Sequence, residues 1–259
     1  MRRSPPALEA RLLFISAVAV VTLIGLCVMA VGAAAAMTRT PAGSGPSKTV
    51  SASTALKAGR GKILYTDSFH TAARWSTSPL EPRGTTFTYT PSGYEIVGTG
   101  SFVHTAVPPY LTAIQQVSMS ITATQPAGSP ANTGFGVVCR RGVGAARVQY
   151  EIYVGGSQWV VERRDGAISG AAPFVIKEGS SPTTAGPAPM TIVGMCATLA
   201  DGVSTRVAIF VNGANVVDLV DTATALSGHG WLTGLVVVSS DKGPNTVTVS
   251  RFEERDLAA

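Results

Sequence analysis

From Leu12 to Met37 the chain reads LLFISAVAVVTLIGLCVMAVGAAAAM, 26 residues without a charge. A helix needs roughly 20 apolar residues to cross a hydrocarbon layer about 30 Å thick, so the pattern predicts one transmembrane helix over residues 12–37. Beyond it, residues 38–60 (TRTPAGSGPSKTVSASTALKAGR) are Ser, Thr, Ala, Pro and Gly with no apolar period. Such a segment has nothing to bury and reads as a flexible linker, spanning about 25 Å as a coil. From Lys62 onward almost no stretch holds a helical period. In QVSMSITAT, Val117, Met119, Ile121 and Ala123 alternate with Ser118, Ser120, Thr122 and Thr124, the signature of a strand with one buried face. Similar segments are TFTYT, GYEIVG, SFVHTAV, TGFGVVCR, RVQYEIYV, QWVVERR, MTIVGMCATL, TRVAIFV, NVVDLV, WLTGLVVVS and TVTVSRFEE. Strands at spacings of about ten residues predict an all-β sandwich or barrel over residues 61–259. The Pro- and Ser-rich gaps at 125–132 and 179–189 read as surface loops.

Two hairpins are legible in more detail. In RVQYEIYVGGSQWVVERR a two-residue turn at Gly155 and Gly156 pairs Val154 with Ser157, Ile152 with Trp159 and Tyr150 with Val161. The other face then pairs Tyr153 with Gln158 and Gln149 with Glu162, so apolar meets apolar and polar meets polar. A second hairpin turns at Asn212 and Gly213, the strongest short hairpin signal, although the faces leave its register open.

Charge orients the apolar segment. Arg2, Arg3 and Arg11 outweigh Glu9 in residues 1–11, and a basic excess holds that flank in the cytoplasm. The formal net charge of +5 divides into +2 there and +3 over residues 38–259. No basic run of five or six residues occurs, so there is no nucleic-acid footprint. Two other readings of the apolar segment stand beside a retained anchor. Ala33 to Ala36 offer small residues of the kind a signal peptidase accepts, against an apolar stretch longer than the usual ~7–15 residues. Cys27 would be the acylated residue of a lipoprotein signal, but Leu26 stands where such signals carry a small residue.

The opening YTDSFHTAARW, the strand GFGVVCR, the hairpin YEIYVGGSQWVVERRDG, the turn IFVNGANVVDLVD and the closing VTVSRFEERDL occur in that order. Together they resemble the concanavalin A-like jelly-roll domains found outside bacterial membranes. The resemblance is to LamG-like or keto-disaccharide-hydrolase-like domains of actinobacterial membrane proteins, including sensor regions of receptor-type serine/threonine kinases. It spans about residues 63–257. It implies a two-sheet antiparallel jelly roll, with ligands of carbohydrate-active members lying on the concave side.

Cys139 and Cys196 are the two cysteines of this outer domain. An extracytoplasmic location permits a disulfide, and the resemblance implies one, since its GxxCR strand often pairs with a cysteine in the later long strand. Two buried thiols are the other reading. Closing a loop of about 58 residues stabilises by roughly 4 kcal/mol in the chain-entropy account. Metal binding finds no CxxC or HxxxH spacing, and no cofactor is expected. If Phe135, Val137 and Cys139 face the core, Arg140 faces away. If Tyr150, Ile152, Trp159 and Val161 are buried, then Gln149, Glu151, Tyr153, Gln158 and Glu162 share the opposite face. The resemblance makes that face concave. An exposed Tyr153 among Arg140, Gln149, Glu151, Gln158 and Glu162 would suit a sugar ring, with an apolar platform ringed by hydrogen-bonding groups.

Catalysis has weaker support. The ExDxxE signature of jelly-roll glycosidases is absent, although Glu151 and Glu162 lie on one face as a possible carboxylate pair; surface ion pairing with Arg140 is the simpler account. His70, His104 and His229 show no triad spacing. Asp218 and Asp221 are a thin calcium set. The expectation is a single-pass membrane protein displaying a non-catalytic binding module, for cell-wall or other glycans. The alternatives are an accessory subunit docking on a membrane protein complex and a glycoside hydrolase. Eleven cytoplasmic residues are too few for any folded domain.

Overall fold

The computed structural model describes residues 48–49 and, with short gaps in loops, 59–258. The predicted transmembrane segment at 12–37, Cys27, most of the predicted linker and His229 lie outside the described residues. No helix among the described residues is long and apolar enough to cross a membrane. Residues Gly45–Ala259 form one compact unit.

This unit is all-β. Its described strands begin with β1 (Lys48–Thr49), β2 (Lys62–Asp67), β3 (Thr86–Thr90), β4 (Gly93–Gly98) and β5 (Val103–Ala106). They continue with β6 (Gln116–Thr124), β7 (Gly134–Arg141), β8 (Val148–Gly155), β9 (Gln158–Asp165) and β10 (Phe174–Ser180). The last five are β11 (Met190–Thr198), β12 (Thr205–Val211), β13 (Ala214–Asp221), β14 (Trp231–Val238) and β15 (Asn245–Asp256). A nine-stranded antiparallel sheet runs β1-β13-β12-β11-β6-β15-β4-β3, with β2 also paired to β15. A six-stranded sheet runs β10-β9-β8-β7-β14-β5.

Alternation builds the core between the sheets. Val117, Met119, Ile121 and Ala123 of β6 face Phe135, Val137 and Cys139 of β7 and Tyr150, Ile152 and Val154 of β8 within one apolar cluster. At Gly194 of β11 the sheets approach closely, since a Cβ there would lie 2.4 Å from Val137 Cγ2. Next to it a disulfide joins Cys139 to Cys196, with Cα atoms 6.5 Å apart. The YTDSFHTAARW stretch caps one part of the core. Asp67 accepts from the Phe69 amide at 2.7 Å and from Trp75 Nε1 at 3.2 Å, seating both rings against Tyr94.

Two expectations need correction. The first hairpin turns at Gly156 and Ser157, so Gly155 pairs with Gln158, Val154 with Trp159, Ile152 with Val161 and Glu151 with Glu162. Gly156 takes the positive φ (56°), whereas Gly155 ends β8 opposite Gln158, where a Cβ would meet the Thr133 carbonyl oxygen at 2.5 Å. Both registers put the same residues on the same faces, so alternation could not separate them. The Asn212–Gly213 turn holds, with φ of 48° and 83°, and a register shift follows between Ile209 and Phe210, the reason its faces were uninformative. In addition, β10 (Phe174–Ser180) is a strand that the pattern did not predict, and its last two residues, Gly179 and Ser180, fall in the stretch 179–189 expected to be a loop. It is an edge strand of mixed polarity, FVIKEGS, mostly exposed, and carries no alternation to read.

Candidate functional site

The outer face of the six-stranded sheet is assembled in rows across the strands. One row runs Leu232, Arg140, Gln149, Arg164 and the next Gly234, Val138, Glu151, Glu162. A third runs Val236, Gly136, Tyr153, Val160. The predicted set Arg140, Gln149, Glu151, Tyr153, Gln158 and Glu162 therefore does share one face of β7, β8 and β9. Val138, which alternation also turns outward beside Arg140, lies on it too, and Arg164, Leu232 and Val236, which sequence reading left out, complete it. Arg164 follows by counting two along β9 from Glu162; the β14 residues become neighbours only through the β14–β7 pairing.

Chemistry is graded across these rows. Val138, Tyr153 and Val236 form an apolar floor, with Val160 and Val238 against it. Gly134 and Gly136 interrupt the side-chain layer because a Cβ at Gly136 would meet the Ile152 carbonyl oxygen at 2.0 Å. The Tyr153 ring lies across this gap: a Cβ on Gly134 would come within 3.0 Å of Tyr153 Cδ2. Tyr153 is consequently 9% exposed and is no free-standing platform, contrary to the sequence expectation. Its hydroxyl donates to Glu162 Oε1 at 2.9 Å. Burial, then the Glu162 charge, pushes that phenol above its ordinary value.

Glu151 is fully buried. Its Oε1 accepts from Arg164 Nε at 2.6 Å and from Gln149 Nε2 at 2.8 Å, whereas Oε2 has no hydrogen-bond partner among the described residues. Its ion-pair partner is thus Arg164 and not Arg140. Burial raises the Glu151 carboxyl above its ordinary value; Arg164 and Gln149 work against this, and the Glu162 charge adds to it. The unfolded chain then loses this proton first, near pH 4.3, and stability falls as pH rises from there towards the higher folded value. Glu151→Gln is expected to remove that loss. Urea midpoints of the two proteins should diverge in favour of the variant between pH 4 and 7, and parallel curves would refute it.

Arg140 differs from Arg164. It is half-buried, forms no ion pair or hydrogen bond among the described residues, and lines a small cleft with Thr105, Val138, Gln149 and Leu232. Burial, then the charge of Arg147, holds its guanidinium below the ordinary value.

Other candidates separate. Asp218 binds Arg206 on the outer face of the nine-stranded sheet, whereas Asp221 turns inward to Arg163 and Tyr150. Three residues apart on a strand, they point to opposite sides and make no calcium site. No cluster of three metal-ligating side chains occurs among the described residues. His70 is exposed. A depression on the nine-stranded sheet is lined by Thr66, Ser68, Thr122, Ser250 and Arg251; it is open and lacks an apolar wall, and its arginine pairs with Glu253.

No family model matches the chain, and no curated protein matches it. Solved structures do. A Bacillus subtilis protein of unknown function with a galectin-like fold superposes with a TM-score of 0.53 at 8% identity, over 76% of this chain and 96% of that one. The metal-free Emp46p carbohydrate recognition domain superposes with a TM-score of 0.48 at 7% identity, over 67% of this chain and 86% of that one. Carbohydrate-binding module CBM66 from Bacillus subtilis gives 0.45 at 16%, over 68% and 91%. The first of these shows the fold, a galectin-like β-sandwich.

Proposed function

We propose that the chain is a membrane-anchored glycan-binding module that catalyses nothing. Residues 12–37 cross the membrane with residues 1–11 in the cytoplasm, and the stretch 38–60, apart from Lys48–Thr49, which pair with β13, links that span to the β-sandwich outside. The observation that carries the binding reading is the outer face of β7, β8 and β9. An apolar floor of Val138, Tyr153 and Val236 lies beside a hydrogen-bonded polar group of Gln149, Glu151, Glu162 and Arg164. A sugar ring presents the complementary surface, one apolar side and a rim of hydroxyls. The buried Glu151 Oε2, unpartnered among the described residues, is an acceptor that a hydroxyl would satisfy, and leaving it unmade costs more than a typical hydrogen bond returns.

Full-length protein in detergent, screened on neutral and acidic oligosaccharides, tests the reading. Binding should weaken about tenfold or more in Glu162→Gln with the melting temperature nearly unchanged. Unaltered binding in that folded variant rejects the face. External protease on intact cells should release the domain by cutting within 38–60, and protection until lysis reverses the orientation.

One observation favours a hydrolase instead. Glu151 and Glu162 are direct cross-strand neighbours, and glycoside hydrolysis uses two carboxylates. Reducing-end release from a bound oligosaccharide, abolished in Glu151→Gln, would establish it. Absence of turnover on every bound ligand upholds the binding reading.

A further inference from the structure

The Arg140 end of the face is out of electrostatic balance. Arg140 and Gln149 are cross-strand partners, as are Gln149 and Arg164, so one row presents cation, amide, cation. Arg164 is neutralised by Glu151 at 2.6 Å, and Glu162 is engaged by Tyr153. Neither carboxylate pairs with Arg140, and the charge of Arg147, another cation, acts on it. Arg147 directs its Nε to the Gly166 carbonyl oxygen at 3.2 Å and forms no ion pair among the described residues. A half-buried guanidinium beside a like charge is destabilised on both counts. A bound anion relieves both, and a guanidinium offers it two parallel donors. Val138, Leu232 and Thr105 line the cleft beside Arg140, and the partial burial of the guanidinium strengthens such a bond over one in open water. The Gln149 amide borders the same cleft, suited to a neighbouring hydroxyl.

We infer that Arg140 selects an acidic saccharide, its guanidinium receiving a carboxylate or sulfate group while the ring extends over Val138 towards Tyr153 and Glu162. This rests on the glycan-binding reading and narrows it to anionic chains. It also divides labour along the face: the Glu151, Glu162 and Arg164 group answers hydroxyls, and Arg140 answers charge.

The test compares three probes on the full-length protein in detergent: oligogalacturonate, the same oligosaccharide fully methyl-esterified, and a sulfated oligosaccharide. Oligogalacturonate or the sulfated chain should bind at least tenfold more tightly than the ester, and which of them does so identifies the anion. The advantage should shrink with rising salt, since it is carried by charge. Arg140→Gln should erase the preference while ester binding persists, and Arg140→Lys should retain part of it. Arg251→Gln, an exposed arginine on the other sheet, should leave the preference intact. If Arg140→Gln does not fold, Arg140→Lys and the salt titration of the unmodified protein still decide. Equal binding of acid and ester, or a preference that survives in folded Arg140→Gln, overturns the assignment and leaves the glycan-binding reading standing. Binding to none of the three probes or to any neutral glycan overturns both.

Discussion

Replacing Asp221 by alanine is expected to destabilise the β-sandwich by about 3–5 kcal/mol, the range for removing one partner of a buried ion pair. Asp221 is 3% exposed and sits between the sheets, accepting from Arg163 Nη1 at 2.9 Å and from the Tyr150 hydroxyl at 2.8 Å. Burial alone would lower the Arg163 pKa, and the hydrogen bond and charge of Asp221, together with the charges of Asp165 and Tyr150, more than reverse this. Without Asp221 the guanidinium keeps Asp165, a half-exposed carboxylate 3.0 Å away, and the Phe174 ring beneath it, and the buried phenol loses the Asp221 acceptor. Arg163→Met in the Asp221→Ala background should recover part of the loss, because the orphaned charge goes with it. By contrast Arg251→Ala removes an arginine that is 63% exposed and should cost no more than about 1 kcal/mol. Urea unfolding of the three variants measures all of this. An Asp221→Ala loss no greater than that of Arg251→Ala would mean that the pair does not hold the sheets.

Cys139→Ser should cost about 2–5 kcal/mol, the usual range for a native bridge. Cys139 and Cys196 are 57 positions apart, so the bridge removes much of the freedom of the unfolded chain, roughly 4 kcal/mol in the loop-entropy account. It also joins β7 to β11, one strand from each sheet, where Gly194 lets the backbones approach. Mass spectrometry of unreduced protein should find the two cysteine peptides linked. Reductant should lower the melting temperature of the native protein and leave Cys139→Ser unmoved. Two thiols that alkylate freely without reductant would show that the bridge does not form.

The strands were legible because each faces a core on one side. QVSMSITAT declares itself by alternation alone, and β3, β4 and β12 begin and end where their patterns do. The edge strand β10 was illegible for the converse reason: with little buried on either side, its composition is free. The site was legible as a face before its contents were known. Strand parity puts Arg140, Gln149, Glu151, Tyr153, Gln158 and Glu162 on one side of three successive strands whatever the register, and a shift of two positions leaves that unchanged. Parity says nothing about what those side chains touch. That Arg164, and not Arg140, neutralises Glu151 depends on the Gly156–Ser157 turn, which sets Glu151 opposite Glu162 and Gln149 opposite Arg164.

The sequence by itself determined the all-β class, most strands, the face and the Asn212–Gly213 turn, since each follows from local periodicity or from the φ a residue permits. It also nominated Cys139 and Cys196, through the location that the apolar segment implies and through a family resemblance. Only the tertiary structure decided the sheet order, the burial of Tyr153 and the divergence of Asp218 from Asp221. It alone set the isolation of Arg140 among the described residues, the completion of the floor by Val236 and the place of Leu232 beside Arg140. These depend on strands far apart in the chain. β14 joins β7 across some ninety residues, and no local pattern encodes a contact whose free energy comes from surfaces meeting only when the whole sheet closes.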